Sequence, residues 1–185
     1  MEGILIMKID IVKVGKLECN CYILDINGCV LVIDPGDEYD KIIDKIENRR
    51  VIGVIVTHYH FDHIGALDEI LNKYNVMVYD RNNMVEGENK IGEFIFDVVY
   101  TPGHKEDCIT IYFKDEKIMF CGDFIFRDCV GRCDLPGGNI IDMIESINKI
   151  KRYDDDIVIY PGHGDSTTIR YEKNNNMYFL DVSMI

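Results

Sequence analysis

Three histidines and one aspartate fall within six residues in the stretch Thr57-His58-Tyr59-His60-Phe61-Asp62-His63. Imidazoles and carboxylates are the groups that bind divalent metal ions in proteins, and such a dense cluster indicates a metal site rather than scattered surface polarity. His58 and His60, two apart on extended chain, project to the same side, whereas Asp62 and His63 lie where the chain turns and point elsewhere. Four ligands are hard to arrange around one ion, but two neighbouring ions fit the pattern.

The other two histidines each follow a Pro-Gly pair at the end of an apolar, β-like run. His104 comes after residues 94–100, and His163 comes after residues 157–160. Proline fixes φ and glycine permits positive φ, so each pair makes a sharp turn that presents the next side chain from a stiff corner. Asp123 similarly follows a strand predicted over residues 117–121. The two oxygens of one carboxylate can bridge two cations.

The motifs T-H-Y-H-F-D-H, T-P-G-H, C-G-D and P-G-H-G, in this order, resemble those of the metallo-β-lactamase superfamily. Within it they are similar to the small hydrolases related to glyoxalase II (hydroxyacylglutathione hydrolase), and the resemblance covers nearly the whole chain. The loop at residues 131–139 resembles that of a compact branch without the C-terminal helical domain, so we expect residues 1–185 to form a single domain. The resemblance implies a first metal on His58, His60 and His104, a second on Asp62, His63 and His163, and Asp123 bridging the two.

The resemblance also implies a dinuclear hydrolase that cleaves a thioester such as an S-2-hydroxyacylglutathione. Two neighbouring cations lower the pKa of a shared water toward neutrality, and the resulting hydroxide attacks the carbonyl carbon. We expect Asp62 and Asp123 to be catalytic, and zinc to be the metal, with iron or manganese as alternatives. Arg132 is expected to bind a substrate carboxylate, as glyoxalase II-like enzymes carry a basic residue there. A salt bridge from Arg132 to Asp134 or Asp128 is nearly as good an explanation.

Other functions stay open at this point. A persulfide dioxygenase of the same superfamily uses one iron, here on His58, His104 and Asp123. Hydrolysis of a lactone or a β-lactam is a third reading, because the metals do not select the acyl group. A non-catalytic metal-binding scaffold is a fourth, although the complete set of seven ligands argues against it.

Composition limits the partners and the location. The formal net charge of −13 disfavours nucleic acid and anionic membranes, which bind through Lys and Arg. The apolar runs are far shorter than the ~20 residues that cross a bilayer, and the N-terminus lacks the features of a signal peptide. We therefore expect a cytoplasmic monomer or homodimer acting on a small-molecule thioester. Seven cysteines without a repeated C-x-x-C pattern favour reduced thiols over a disulfide framework.

Hydrophobic spacing indicates the elements that position these residues. Residues 51–56 are apolar and mostly β-branched, which is typical of a strand buried on both faces. Tyr59 and Phe61 are expected to pack away from the ligands. Strands followed by a helix, twice over, predict an α/β (α+β) fold with two mixed sheets face to face and helices on the outer faces, the four-layer αβ/βα sandwich that the resemblance also implies. We predict strands at residues 5–14, 19–25, 29–33, 51–56, 76–79, 93–100, 108–113, 117–121 and 157–160, helices at 39–46, 64–74, 140–150 and 167–172, irregular chain at 81–90, and a surface turn at 174–176.

Overall fold

A computed structural model describes residues 6–185, so the first residue of the strand predicted at 5–14 lies outside the described residues. The helices are α1 (Tyr39–Ile46), α2 (Phe61–Ile64), α3 (Leu67–Tyr74), α4 (Ile140–Ile150), α5 (Ile169–Asn175) and α6 (Met177–Leu180), with a 3₁₀ turn at Val182–Met184. The strands are β1 (Lys8–Val14), β2 (Cys19–Ile26), β3 (Cys29–Ile33), β4 (Arg50–Ile55), β5 (Val78–Tyr79), β6 (Gly87–Ile91), β7 (Phe94–Tyr100), β8 (Ile109–Phe113), β9 (Ile118–Gly122), β10 (Ile125–Phe126), β11 (Cys129–Val130), β12 (Val158–Pro161) and β13 (Thr167–Thr168).

Most of the strands form two mixed sheets. The first sheet has the order β1-β2-β3-β4-β5, in which β3, β4 and β5 are parallel and the other pairs are antiparallel. The second sheet has the order β13-β12-β9-β8-β7-β6, in which only β12 and β9 are parallel. Strands β10 and β11 make a separate short hairpin. The predicted pair of mixed sheets is confirmed.

The layers follow from the apolar faces of these elements. Leu31 and Ile33 of the first sheet meet Phe96 and Phe120 of the second in a core between the sheets. On the outer face of the first sheet, α1 and α3 bury their apolar sides, and α4, α5 and α6 do the same on the second sheet. This arrangement is the predicted four-layer αβ/βα sandwich. No helix in residues 6–185 combines the length and the apolar character needed to cross a membrane.

Local differences from the prediction have physical causes. The helix predicted at 64–74 is divided into α2 and α3, because the chain at Gly65 contacts Gly36 closely: the Gly65 N–H donates to the Gly36 carbonyl at 2.9 Å. A Cβ at Gly65 would lie 2.3 Å from that oxygen. Strand β6, predicted as irregular chain, is an edge strand paired with β7. Its sequence, G-E-N-K-I, is polar because an edge strand remains largely exposed.

The predicted surface turn at residues 174–176 is wrong. Residues 174 and 175 complete α5, and Asn176 is fully buried. Its side-chain oxygen accepts a hydrogen bond from the Tyr178 N–H at 3.0 Å, which caps α6. Its amide donates to the Cys129 carbonyl at 3.0 Å and to the buried Glu172 carboxylate at 2.7 Å. Asn176 therefore ties the C-terminal helices to the β10–β11 hairpin.

Candidate metal centre

The carboxyl ends of four strands converge at one edge of the sandwich. The segment after β4 supplies His58, His60, Asp62 and His63, and the ends of β7, β9 and β12 lead to His104, Asp123 and His163. All seven predicted ligands meet here and form two groups. Within each group, the potential donor atoms lie within 4.8 Å of one another. The first group, called cluster one below, is His58, His60 and His104, and the second, cluster two, is Asp62, His63, Asp123 and His163.

Cluster one directs three ring nitrogens at one point. His60 Nδ1 lies 3.1 Å from His58 Nε2 and 2.8 Å from His104 Nε2. His104 Nδ1 lies 2.7 Å from the Arg132 carbonyl oxygen, which can only accept, so Nδ1 carries the proton and Nε2 presents a lone pair. Burial lowers the pKa of His58 well below its usual value, and burial also lowers the pKa of His60. These neutral imidazoles are in the form that binds metal.

Cluster two combines carboxylates with imidazoles. His163 Nδ1 donates to the Leu17 carbonyl at 2.8 Å, which leaves Nε2 facing Asp62 Oδ2 at 3.1 Å. His63 Nε2 and Asp123 Oδ1 are 3.2 Å apart, and both are buried without a hydrogen-bond partner in the described chain. Buried polar atoms are rarely left unsatisfied, so this pair marks a place where a further group belongs. Burial lowers the pKa of His63, but Asp34 and Asp123 raise it more, to well above its usual value. The field at His63 thus favours a positive charge.

Asp123 lies between the two clusters. Its Oδ1 faces cluster two, 3.6 Å from His163 Nε2, and its Oδ2 is 3.7 Å from His104 Nε2 in cluster one. This close approach needs a glycine next to His163: a Cβ at Gly162 would lie 2.2 Å from Asp123 Oδ1. One carboxylate therefore presents an oxygen to each cluster, as the two-ion arrangement requires.

Asp34 supports both clusters and was missed in the sequence, where Asp34-Pro35-Gly36 indicates only a turn. Its carboxylate is buried, accepts from the Thr57 N–H at 2.8 Å and Oγ1–H at 2.6 Å, and lies 2.9 Å from His63 Nδ1. Thr57 Oγ1 in turn lies 3.2 Å from His58 Nδ1. Asp34 thereby fixes the tautomers that direct Nε2 of His63 and His58 toward the clusters. An aspartate at a strand end, as at Asp123, is the signal that could have revealed it.

A cavity of about 670 Å³ opens over the two clusters. Phe61 is 75% exposed in its wall, so the expectation that it packs away from the site is wrong. Tyr59 does pack away, with its hydroxyl donating to Asp80 Oδ2 at 2.5 Å. The cavity is lined by Leu17, His60, Phe61, Asp62, His104, Lys105, Asp123, Arg132, Leu135, Pro136 and His163.

The sequence profile of the metallo-beta-lactamase superfamily matches residues 14–81 and 85–163 of this chain. The chain belongs to this superfamily. Hydroxyacylglutathione hydrolase GloC of Haemophilus influenzae is 30% identical over 96% of this chain and 100% of its own length. The probable metallo-hydrolase YqgX of Bacillus subtilis is also 30% identical, over 92% of this chain and 97% of its own length.

Solved structures of the superfamily show the same fold. The BLEG-1 B3 metallo-beta-lactamase superimposes with a TM-score of 0.88 at 28% identity, covering 93% of this chain and 99% of that one. TTHA1623, solved in a di-iron-bound form, gives a TM-score of 0.84 at 26% identity over 91% of this chain and 99% of its own. The chain is therefore a metal-binding, hydrolase-type member of the metallo-beta-lactamase superfamily.

Arg132 lines the cavity over the clusters, but it already forms a salt bridge with Asp134. Its Nε and Nη2 donate to the two carboxylate oxygens of Asp134 at 2.6 and 2.7 Å, and both side chains are exposed. The salt bridge that the sequence left open is thus formed with Asp134 and not with Asp128. Lys105, which sequence reasoning passed over, is a second basic residue of the cleft.

Cys19 is a further residue near the clusters that the sequence did not single out. Its Sγ lies 3.7 Å from His63 Nδ1, and together with His63 and His163 it forms a third group of metal-binding atoms. Burial raises the pKa of Cys19 to about 11, so the thiol is protonated at neutral pH. It could bind a metal ion only after losing this proton. The seven cysteines of the described chain are free thiols.

Proposed function

We propose that this chain is a dinuclear metal-dependent hydrolase that cleaves a thioester such as an S-2-hydroxyacylglutathione. The observation that carries the proposal is the position of Asp123, with one carboxylate oxygen toward each of two complete ligand clusters. The name of the Haemophilus influenzae relative, hydroxyacylglutathione hydrolase, supports the choice of thioester.

The residues present fit two divalent ions. Cluster one offers three imidazole nitrogens, cluster two offers two imidazoles and two carboxylates, and the unsatisfied atoms His63 Nε2 and Asp123 Oδ1 would gain a partner. Nitrogen and oxygen donors of this kind suit zinc, iron and manganese alike. We propose zinc first, with iron or manganese as alternatives.

When bound, two such ions would lower the pKa of a coordinated water toward neutrality and would polarise a carbonyl group. Within the chain, Asp62 belongs to cluster two and also lines the cavity, so its carboxylate can accept a hydrogen bond from the attacking water and orient it. Asp123, held beside Gly162, keeps the two clusters at a fixed separation. The water oxygen bonds to the carbonyl carbon, the C–S bond breaks, and the products are a carboxylic acid and a thiol. A thiolate is a weak base, which makes it a good leaving group.

Cluster two favours this proposal over the one-iron persulfide dioxygenase. By the resemblance, that enzyme holds its one iron on His58, His104 and Asp123 and does not use Asp62, His63 and His163 as iron ligands. These three residues nevertheless converge, and the two imidazoles among them each have Nδ1 fixed by a backbone carbonyl or a carboxylate so that Nε2 is free to bind.

Elemental analysis and a thioester assay test the proposal together. Purified protein is expected to hold close to two metal ions per chain and to release free thiol from S-lactoylglutathione, whereas one iron with oxygen uptake on glutathione persulfide would indicate the dioxygenase. Replacing Asp123 by Ala is expected to remove activity and at least one ion. The control, Cys133→Ser, alters a residue of the neighbouring loop and is expected to leave metal content unchanged. Full turnover by the Asp123 variant would refute its bridging role.

A further inference from the structure

Basic residues lie along one part of the cavity. Among the described residues, the Lys and Arg side chains that line it are Lys105 and Arg132. The guanidinium of Arg132 already satisfies the two oxygens of Asp134 in the fork geometry that a substrate carboxylate would need, and the pair lies in solvent. Asp134 thus occupies two of the five N–H donors of Arg132 and offsets its charge. Lys105 is the less exposed of the two cations, with a side chain 20% exposed against 63% for Arg132.

Lys105 is held firmly and retains donors. Its side chain is 20% exposed, and Nζ donates one hydrogen bond, to Asp107 Oδ2 at 2.7 Å. An ammonium has three N–H donors, so two are left for a ligand. The stem runs beside the 131–139 loop: a Cβ at Gly137 would lie 3.3 Å from Lys105 Cγ. Asp107 is itself anchored by the Tyr59 N–H at 3.2 Å. The ammonium group of Lys105 is therefore held in one position beside His104.

The part of the cavity wall next to cluster two is apolar. Leu17 is 55% exposed and Phe61 is 75% exposed, and both lie next to cluster two, where the Leu17 carbonyl accepts from His163. Large apolar side chains exposed in a cleft gain from being covered by a ligand. The cleft is thus polarised, with a cation on the His104 side and an apolar wall on the His163 side.

We propose that Lys105 is the anion-recognition residue of this site and that the substrate is a thioester carrying a carboxylate which reaches Lys105, with its apolar part against Phe61. The inference rests on the proposed function, because it takes this cleft as the substrate site. A chain with a net charge of −13 repels anions over most of its surface. A cation at a fixed position beside the clusters would favour capture of an anionic substrate in one orientation, and Lys105 provides such a cation.

The test compares Lys105→Gln with Lys117→Gln. Lys117 is a matched control, since it also makes a short ion pair, with Asp156 at 2.6 Å, but does not line the cleft. The substrates are S-lactoylglutathione and its diethyl ester, which differ only in free carboxylates. We expect Lys105→Gln to raise KM for the free acid about tenfold or more and KM for the diester less than about twofold, the loss of one charge-assisted hydrogen bond. Lys105→Arg, which keeps the charge, is expected to restore most of the preference for the free acid, and Lys117→Gln to match wild type.

A structural role for Lys105 in holding the His104 turn would lower kcat/KM equally for the two substrates, and that result overturns the proposal. Wild-type protein that turns over neither substrate refutes the thioester function but leaves Lys105 testable by calorimetry. Metal-loaded wild type is then titrated with S-methylglutathione, which has the carboxylates but no scissile bond, and with its diethyl ester. A preference for the free acid that disappears in Lys105→Gln supports the anion site; no binding, or no preference, overturns it.

Discussion

Replacing Asp34 by Asn would test how the protein directs its imidazoles at the clusters. Asp34 Oδ2 accepts from Thr57 Oγ1 and lies 2.9 Å from His63 Nδ1, and Oδ1 accepts from the Thr57 N–H. The substitution keeps the shape of the side chain. It also suits the backbone, because Asp34 has φ +51°, a region that asparagine tolerates. What changes is one acceptor, which becomes an NH₂ donor.

The structure determines what that donor does. If the amide oxygen keeps the Thr57 N–H, the new NH₂ group faces His63 Nδ1, which must become an acceptor. The His63 proton then moves to Nε2, the atom that faces cluster two, and an ion must displace this proton in order to bind. If the amide is flipped instead, two buried donors face each other, at a cost of about 1–3 kcal/mol. Loss of such a supporting carboxylate weakens metal binding about 10- to 100-fold, or about 1.4–2.8 kcal/mol.

Competition with a chromophoric chelator gives the affinity for each ion, and elemental analysis gives the content. We expect Asp34→Asn to hold fewer than two ions at concentrations that saturate wild type, and thioester turnover to fall in proportion. Asp128→Asn is the matched control, since Asp128 also has positive φ but accepts only an exposed bond from Tyr171. If Asp34→Asn kept two ions at wild-type affinity, the carboxylate would not set the His63 tautomer.

Two further predictions concern stability. Asn176→Ala removes the cap of α6 and the hydrogen bonds to the Cys129 carbonyl and to the buried Glu172 carboxylate. Urea unfolding is therefore expected to show a loss of about 2–4 kcal/mol, against about 0.5 kcal/mol or less for the exposed Asn174→Ala, and equal effects would contradict the role assigned to Asn176. In metal-free protein, a proton on His63 stabilises the fold below the unfolded pKa of about 6.5, and this contribution is lost as pH rises through the raised folded pKa. The difference in free energy of unfolding between wild type and His63→Gln, measured with chelator present, should therefore shrink as pH rises, and a constant difference would argue against a charged His63.

The convergence of the seven predicted ligands could be anticipated because the local sequence places each of them at a strand end or a turn. His104 and His163 follow Pro-Gly turns, and Asp123 follows a strand that is wholly buried. Local patterns of this kind survive folding, since a strand end and a stiff turn are fixed by a few neighbouring residues. The buried strand before His58 and the helices α1 and α4 were predictable for the same reason, from uninterrupted or periodic apolar residues.

Features that depend on distant contacts could not be predicted. Asp34 has the sequence of a turn, and only the three-dimensional structure shows its carboxylate beside Thr57 and His63. Asn176 stands in a polar run, yet the β10–β11 hairpin and Glu172 bury it. Phe61 has the residue type of a core side chain, but its neighbours His60 and Asp62 are both turned into the cleft, and Phe61 lies in the same wall. In each case the partner lies far along the chain or is a cavity that no local pattern encodes.

The distribution of ligands between the sheets has a consequence for folding. The segment after β4, in the first sheet, supplies two ligands to cluster one and two to cluster two, and the second sheet completes them with His104 in cluster one and with Asp123 and His163 in cluster two. An ion bound in either cluster would therefore join the two sheets at their shared edge. Because neither sheet alone supplies a full cluster, the binding energy would be available only when the sheets are packed together, and metal binding would then add to the stability of the sandwich. The segment from His58 to His63 would thus supply the first sheet's ligands to both ions, and His104, Asp123 and His163 would supply those of the second sheet.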